Sequence, residues 1–389
     1  MINDLLLSSD MEKTNYQTIL SRTVVIVCSI LIFLLSIELM GISIGEMTGG
    51  MIESISAVTA NPFIGLFIGL LSTALLQSSS TTTSIAVATV ASGALSLQNA
   101  IPIILGANIG TTITSTIISM SYISKKKEFK RAVAAGTSHD FFNILTVLLL
   151  FPLEVKYHFL EKLSAYISSS IYIAKETGIE SSSFGLSLFE TSTTWLVSTI
   201  GPILTLLIGI LLLFACIKFI SKWLYKILIG KTKDRFENVV FKNKYRAFGW
   251  GLIITSLAQS SSLTTSLIVP LVATGKVKVK KAFQFILGAN IGTTITALLA
   301  AIFQSEAAIS LAIVHLLFNL IGVIIFFLIP YVSQIPVLIA KRLGRITMKV
   351  RLVGFAYILF AFFLLPFTLI YFSNNSEKSK DPVEIKSEG

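Results

Sequence analysis

Long apolar runs separated by short polar stretches dominate this chain. Runs near 21–43, 99–123, 132–152, 198–217, 282–303, 307–329 and 352–372 are each long and apolar enough to cross a bilayer as one helix. Two other segments, about 60–93 and 247–275, break the pattern because each is too long for a simple span and polar at its middle. The first carries Gln77-Ser78-Ser79-Ser80-Thr81-Thr82-Thr83-Ser84 and the second Gln259-Ser260-Ser261-Ser262-Leu263-Thr264-Thr265-Ser266. Side chains of this kind are costly in hydrocarbon unless they are paired or solvated. Irregular backbone survives at membrane depth only where protein shields it or it lines a cavity. Each segment is therefore expected to be a re-entrant hairpin or broken helix, within an all-α polytopic membrane protein.

The two polar runs are copies of one another. The QSSS segments recur at an offset of 182, and Leu105-Gly106-Ala107-Asn108-Ile109-Gly110-Thr111-Thr112-Ile113-Thr114 recurs letter for letter from Leu287 to Thr296 at the same offset. His139-x-x-Phe142-Asn143 returns as His315-x-x-Phe318-Asn319 at an offset of 176. Ten identical residues at one offset indicate a duplication. Residues 1–20 are expected to be a cytoplasmic N-terminus, 21–153 the first transmembrane repeat and 154–197 an extracellular, Ser-rich, partly mobile connector. The second repeat then covers 198–372, and 373–389 form a polar tail.

Charge gives the orientation. The net charge is +11, yet only 13% of residues are charged against 53% hydrophobic, and the mean hydropathy is +0.82. Soluble chains carry about 25% charged residues. The positives fall in blocks: Lys125 to Arg131, Lys218 to Arg246, Lys276 to Lys281 and Lys341 to Arg351. Such blocks mark the cytoplasmic side of a membrane protein, not nucleic-acid recognition. In the first copy the turn after QSSS is neutral and the next loop basic, whereas in the second copy the order is reversed. Opposite membrane orientations explain that reversal, so the expected architecture is a pair of inverted-topology repeats, as in many secondary transporters. A multi-pass protein of the cell (plasma) membrane follows.

The chemistry is concentrated in the paired motifs. A broken helix directs its first N–H groups at the gap with partial positive charge, a ready anion site. Carbonyl, amide and hydroxyl oxygens beside it suit a hard cation such as sodium. Thr111 and Thr114, like Thr293 and Thr296, are three apart and present two oxygens to one helix face. Gly65-x-x-x-Gly69, Gly106-x-x-x-Gly110 and Gly288-x-x-x-Gly292 also read as packing faces. Cys28 and Cys216 sit in apolar runs as packing residues. His139 beside Asp140 reads as a hydrogen-bonding residue near a helix start rather than a proton relay. The chain has no HExxH, Walker loop or His/Cys cluster, which removes support for a metalloprotease or an ATP-driven pump. No membrane-depth base is apparent for a serine nucleophile, so no enzyme is expected.

At QSSSTTTSI, QSSSLTTSL, Ile101 to Thr114, Ser138 to Asn143, Phe151-Pro152-Leu153-Glu154 and His315 to Asn319, the sequence resembles the type II sodium-dependent phosphate cotransporter family. The resemblance runs from about residue 25 to 370. With a short tail after Phe372, it fits bacterial-type members without a soluble C-terminal domain. It implies symport of inorganic phosphate with sodium by alternating access, with both QSSS segments at a central site. Phosphate is then expected among Gln77, Ser78, Ser79, Ser80, Asn108, Ser260, Ser261, Ser262 and Asn290. Sodium is expected among Gln259, Ser260, Ser262, Thr293 and Thr296, with Thr111 and Thr114 as their first-copy equivalents. Sodium enters as a coupling ion and no cofactor is implied. A phosphate exporter, a carrier of another small anion and an ion channel are the alternatives.

Overall fold

The computed structural model describes residues 24–25, 27–47, 49–178, 184–229 and 239–378. The segment 1–20, the end of the tail and the middle of the basic block 218–246 lie outside the described residues. The first half contains α1 (Val27–Gly45), α2 (Gly49–Thr59), α3 (Pro62–Leu76), α4 (Ser79–Ala91), α5 (Leu97–Gly110), α6 (Ile113–Met120) and α7 (Lys126–Tyr157). Then come α8 (Phe159–Gly178), α9 (Phe184–Ile200) and α10 (Pro202–Ile229). The second half has α11 (Lys244–Ala258), α12 (Ser261–Ser266), α13 (Ile268–Ala273), α14 (Val279–Ala301), α15 (Glu306–Val323), α16 (Ile335–Lys349), α17 (Leu352–Leu359) and α18 (Leu365–Lys378). There is no strand among the described residues.

Among the described residues, seven stretches are long and apolar enough to cross a membrane: Val27–Gly45, Leu97–Met120, Lys126–Tyr157, Pro202–Ile220, Val279–Ala301, Glu306–Leu328 and Leu352–Phe372. They coincide with the seven runs expected from the sequence. Exposed Leu204, Leu207 and Leu211 on α10 and Leu352, Phe355 and Leu359 on α17 form an apolar exterior, while Ser, Thr and Asn side chains of α4, α5, α7 and α14 are buried. A bilayer is the only solvent for which that distribution is favourable.

The duplication is visible as repeated contacts. Asn61 caps α3 and Asn243 caps α11, and the turns at Gly93 and Gly275 both take positive φ, 78° and 85°. In the first half α3 lies along α5, and in the second α11 lies along α14. The glycines make those approaches as close as backbones allow. A Cβ on Gly106 would lie 1.9 Å from the Leu66 carbonyl oxygen, and one on Gly288 would lie 1.9 Å from that of Phe248. The reciprocal pairs, Gly69 on Ile103 and Gly251 on Phe285, are equally tight. The GxxxG segments are therefore packing faces, as anticipated.

The basic blocks converge on one end of the bundle. A Cβ on Gly275 would meet the Arg131 guanidinium at 2.6 Å, Gly344 of α16 packs on the Lys130 carbonyl, and Lys281 Nζ donates to the Phe241 carbonyl at 2.7 Å. Segments far apart in sequence thus place their positive charge on a common face, as the positive-inside rule requires.

Three features add detail to the expected organisation. The stretch 154–197 is largely helical, and α8 packs along α15 with Ser168 Oγ 2.6 Å from Ser310 Oγ. Its apolar positions at helical spacing outweigh its serines. Residues 365–378 continue the last span as helix α18, so the first part of the expected tail is helical backbone. The run 99–123 is not uniform either: Thr112 Oγ1 donates to the Ile109 carbonyl at 2.8 Å and the Thr112 N–H takes the same carbonyl, tightening the turn between α5 and α6. Side-chain bonding of this kind perturbs a helix. The second copy remains continuous through α14.

Replacing Gly106 or Gly288 with Ala should destabilise the protein by about 1–3 kcal/mol or more, because the neighbour struck is backbone. Gly249→Ala, where nothing lies within 4 Å, should be close to neutral. Thermal unfolding in detergent checks this; equal midpoints for all three variants would refute the close packing.

Candidate functional site

Both QSSS motifs sit at helix breaks. Gln77 ends α3 at φ 54°, ψ 31°, and Gln259 ends α11 at φ 49°, ψ 27°. That left-handed conformation is uncommon for a residue with a side chain. The next residue in each copy, Ser78 or Ser260, turns extended and starts the following helix. Ser78 Oγ accepts the Thr81 N–H at 3.2 Å, and Ser260 Oγ accepts that of Leu263 at 3.3 Å. Each serine satisfies one of the orphan N–H groups of the new helix and leaves others directed at the break.

The two breaks meet. Ser80 Oγ donates to the Gln259 carbonyl at 2.9 Å, and Ser115 Oγ lies 3.2 Å from Thr265 Oγ1. The α4 helix packs on α14 and α15 of the second half, while α12 packs on α6 of the first. Ser79, Ser80, Ser261, Ser262, Thr111, Thr293 and Thr296 are all buried. Buried Gln259 Oε1, Thr296 Oγ1, Thr111 Oγ1 and Thr114 Oγ1 have no hydrogen-bond partner among the described residues. Thr293 Oγ1 is spent on the Ala289 carbonyl. Buried oxygens are ordinarily paired, so these four at the expected cation positions are available as oxygen ligands for an ion.

The two breaks differ in access. Gln77 is exposed, and its neighbour Leu76 lines a mostly apolar cavity of about 520 Å³ with Val58, Ile68, Ile85 and Ile103, which Ser72, Thr82 and Thr89 also border. The Gln259 side chain borders a small apolar pocket with Phe33, Ile220 and Phe303. The amide at the first break is exposed, and that at its copy is half-buried.

Asn108 and Asn290 belong to a buried amide chain that joins the repeats. Asn143 Nδ2 donates to the Asn108 carbonyl at 2.6 Å, which leaves Asn143 Oδ1 to accept Asn290 Nδ2 at 2.8 Å. Asn290 Oδ1 then faces His139 Nε2 at 2.6 Å. The backbone carbonyl at the start of this chain fixes every amide, so Nε2 carries the proton of the neutral imidazole. Asn319 Nδ2 donates to Asn108 Oδ1 at 3.1 Å and to the His315 carbonyl at 3.0 Å. His139 lies in the middle of α7 rather than near a helix start, and it acts as a cross-repeat donor. The copies are alike in pairing Asn290 with Asn143 and Asn108 with Asn319, and they differ in that His139 also reaches Asn290 while no bond joins His315 to Asn108 among the described residues.

Asp140 was passed over in the sequence as part of a local pair. It is fully buried, and Thr116 Oγ1 and Tyr357 OH donate to its Oδ2 at 2.8 and 3.0 Å. Its Oδ1 has no partner, and no ion pair to it exists among the described residues. The corresponding residue in the second copy is Leu316. An intramembrane carboxylate without a basic partner is a functional signal by cost alone. The missing counterpart could have identified it.

Asn290→Ala would strand the His139 N–H and Asn143 Oδ1, at about 1–3 kcal/mol for each buried group left unpaired. A lower unfolding midpoint is expected, and an unchanged midpoint would show that the amide chain carries no stability.

Comparison with known proteins agrees with this architecture. The family profile described as Na+/Pi-cotransporter matches residues 32–151 and 211–369. Sodium-dependent phosphate transport protein 2B of Pongo abelii is 30% identical over 439 residues, covering 88% of this chain and 63% of that protein. Sodium-dependent phosphate transport protein 2A of Rattus norvegicus is 32% identical over 416 residues, covering 87% of this chain and 64% of that protein. The chain thus spans just under two thirds of these relatives. No solved structure matches it. With both halves of the duplication inside the matched residues, the chain belongs to the Na+/Pi-cotransporter family.

Proposed function

We propose that this protein is a secondary-active symporter that moves inorganic phosphate with sodium across the cell membrane by alternating access. The observation that carries the reading is the meeting of two duplicated helix breaks, joined by Ser80 Oγ and the Gln259 carbonyl. Gln259 Oε1 at the second break, and Thr111, Thr114 and Thr296 Oγ1 in the duplicated motifs, are buried without partners among the described residues. Membership in a family described as Na+/Pi-cotransporter supplies the identity of the ions.

In this reading phosphate lies between the starts of α4 and α12, against the free N–H groups and the hydroxyls of Ser78, Ser79, Ser80, Ser260, Ser261 and Ser262. Gln77, Asn108 and Asn290 border it. Sodium takes Gln259, Ser260, Ser262, Thr293 and Thr296, with Thr111 and Thr114 as the corresponding position in the first half. Asp140 holds a further cation with Thr116 and Tyr357. An anion and a cation in one low-dielectric gap relieve each other's desolvation cost. Each ion therefore raises the affinity for the other, which is the coupling that symport requires.

The contrast between an exposed Gln77 and a half-buried Gln259 fits one state of an alternating-access cycle. In the opposite state the two copies exchange roles, so a His315–Asn108 bond replaces His139–Asn290. The reversed charge pattern of the two halves supports inverted repeats as the basis of that exchange.

Phosphate uptake into proteoliposomes under an inward sodium gradient should overshoot equilibrium, and a matched potassium gradient should give none. Equal uptake in both would reject sodium coupling. Gln259→Gly suits the positive φ while removing Oε1, so it should keep its unfolding midpoint and lose at least tenfold in uptake at limiting sodium. Unaltered sodium dependence in that variant would remove Gln259 from the ion site.

A further inference from the structure

The end of α7 remote from Lys126, Lys127 and Lys130 carries a group of side chains that the transport reading does not use. The α7 helix has 32 residues, about 48 Å at 1.5 Å per residue, so this end lies on the opposite membrane face from Lys126, Lys127 and Lys130. The helix stops at His158, which adopts φ 52°, ψ 44°, and α8 begins at the next residue. The reversal brings Glu154 of α7, His158 of the corner and Glu161 of the first turn of α8 together. One ligand atom from each lies within 4.8 Å of the others.

Helix capping explains only part of this arrangement. Glu154 Oε2 accepts the Leu160 N–H at 2.6 Å and that of Glu161 at 3.4 Å, which caps the new helix. His158 Nδ1 lies 2.8 Å from Glu161 Oε2. The remaining oxygen, Glu154 Oε1, is buried with no hydrogen-bond partner, on a residue only 4% exposed. Glu154 and His158 also line a cavity of about 210 Å³, closed by Thr59 and Pro62 beside the α2–α3 turn and by Asn99 and Pro102 of α5. A buried carboxylate oxygen that no donor reaches, next to an imidazole and a second carboxylate, matches the ligand set of a divalent transition ion.

We propose that Glu154, His158 and Glu161 form a binding site for one divalent transition-metal ion of the zinc class, at the membrane face opposite the lysine-rich end of α7. The imidazole nitrogen and two carboxylates supply three ligands, and water completes the shell from the cavity. His158 and Glu161 are partly exposed, with side-chain exposures of 36% and 29%, so the ion reaches the site from solution. The bound ion ties α7 to α8 beside the α2–α3 turn, which leads into the first broken helix. This site is separate from the paired breaks and holds whether or not phosphate is the substrate.

The test is zinc binding to the purified full-length chain in detergent, followed by equilibrium dialysis with metal analysis and by thermal unfolding. One ion per chain is expected at micromolar zinc, with a raised unfolding midpoint, since a ligand that binds the folded form stabilises it. Glu161→Gln and His158→Asn should each weaken binding at least tenfold. Asn tolerates the left-handed corner, so both variants should unfold at the wild-type midpoint without zinc. No saturable binding, binding unchanged in both variants, or calcium bound as tightly as zinc would each overturn the proposal, the last because it denies the imidazole a part. If zinc binds as expected while sodium-driven phosphate uptake fails, only the transport reading falls.

Discussion

A helix that breaks inside hydrocarbon leaves peptide N–H and C=O groups that no lipid can satisfy. Everything distinctive about this protein follows from meeting that cost twice. At Gln77 and Gln259 the chain accepts a left-handed residue that has a side chain, a conformation disfavoured by about 1–2 kcal/mol. Glycine would relieve the strain but would remove an amide from the centre of the molecule. The next residue, Ser78 or Ser260, caps the second half-helix. The carbonyl at the second break receives its donor, Ser80, from the other repeat. The second break is thus shielded in part by the first repeat, and the halves interlock there, with α4 packed against α14 and α15.

Interlocking at this closeness constrains the rest of the interior. Gly106 and Gly288 let the paired helices approach until a methyl group would overlap a carbonyl. The buried amides then share donors across the repeat boundary, ordered by the Asn108 carbonyl. A network with every member directed is stiff, and its exchange between two arrangements is discrete rather than gradual. Asn290 and Asn108 are each paired with an asparagine of the other repeat, yet only Asn290 also receives a histidine, His139, and that single difference is where the duplicated halves part.

Most of the spans were legible because a bilayer imposes length and composition on a helix directly. The breaks were legible because polar runs at mid-segment have few alternatives. Duplication made both unmistakable, and it marked Gln77 and Gln259 as equivalent before any coordinates. Less legible was what depends on distant partners. Nothing in the local sequence indicates that His139 donates to Asn290, or that Tyr357 reaches Asp140 across 217 positions. Helix α16 was hidden because its basic residues resemble a loop, whereas Gly344 docks it on α7. The serines of 154–197 suggested mobility, but in a helix such side chains bond back to carbonyls, as Ser164 does to Glu161 and Ser168 to Ala165.

The same constraint bears on coupling. Each half-helix start contributes roughly half a positive charge at its N-terminus, so two of them facing one gap supply about one unit. On the proposed reading, a divalent phosphate anion is not fully balanced by that alone in a dry interior, and sodium on Gln259, Thr293 and Thr296 would add the missing charge. Without the anion, the cation meets two positive helix ends; without the cation, the anion keeps a net charge that resists burial. The gap is therefore least costly to seal when both ions are present or both are absent. Those are the two occupancies in which a symporter must change its face, so the rule of coupling can arise from the cost of closing a charged cavity, without a separate gate for each ion.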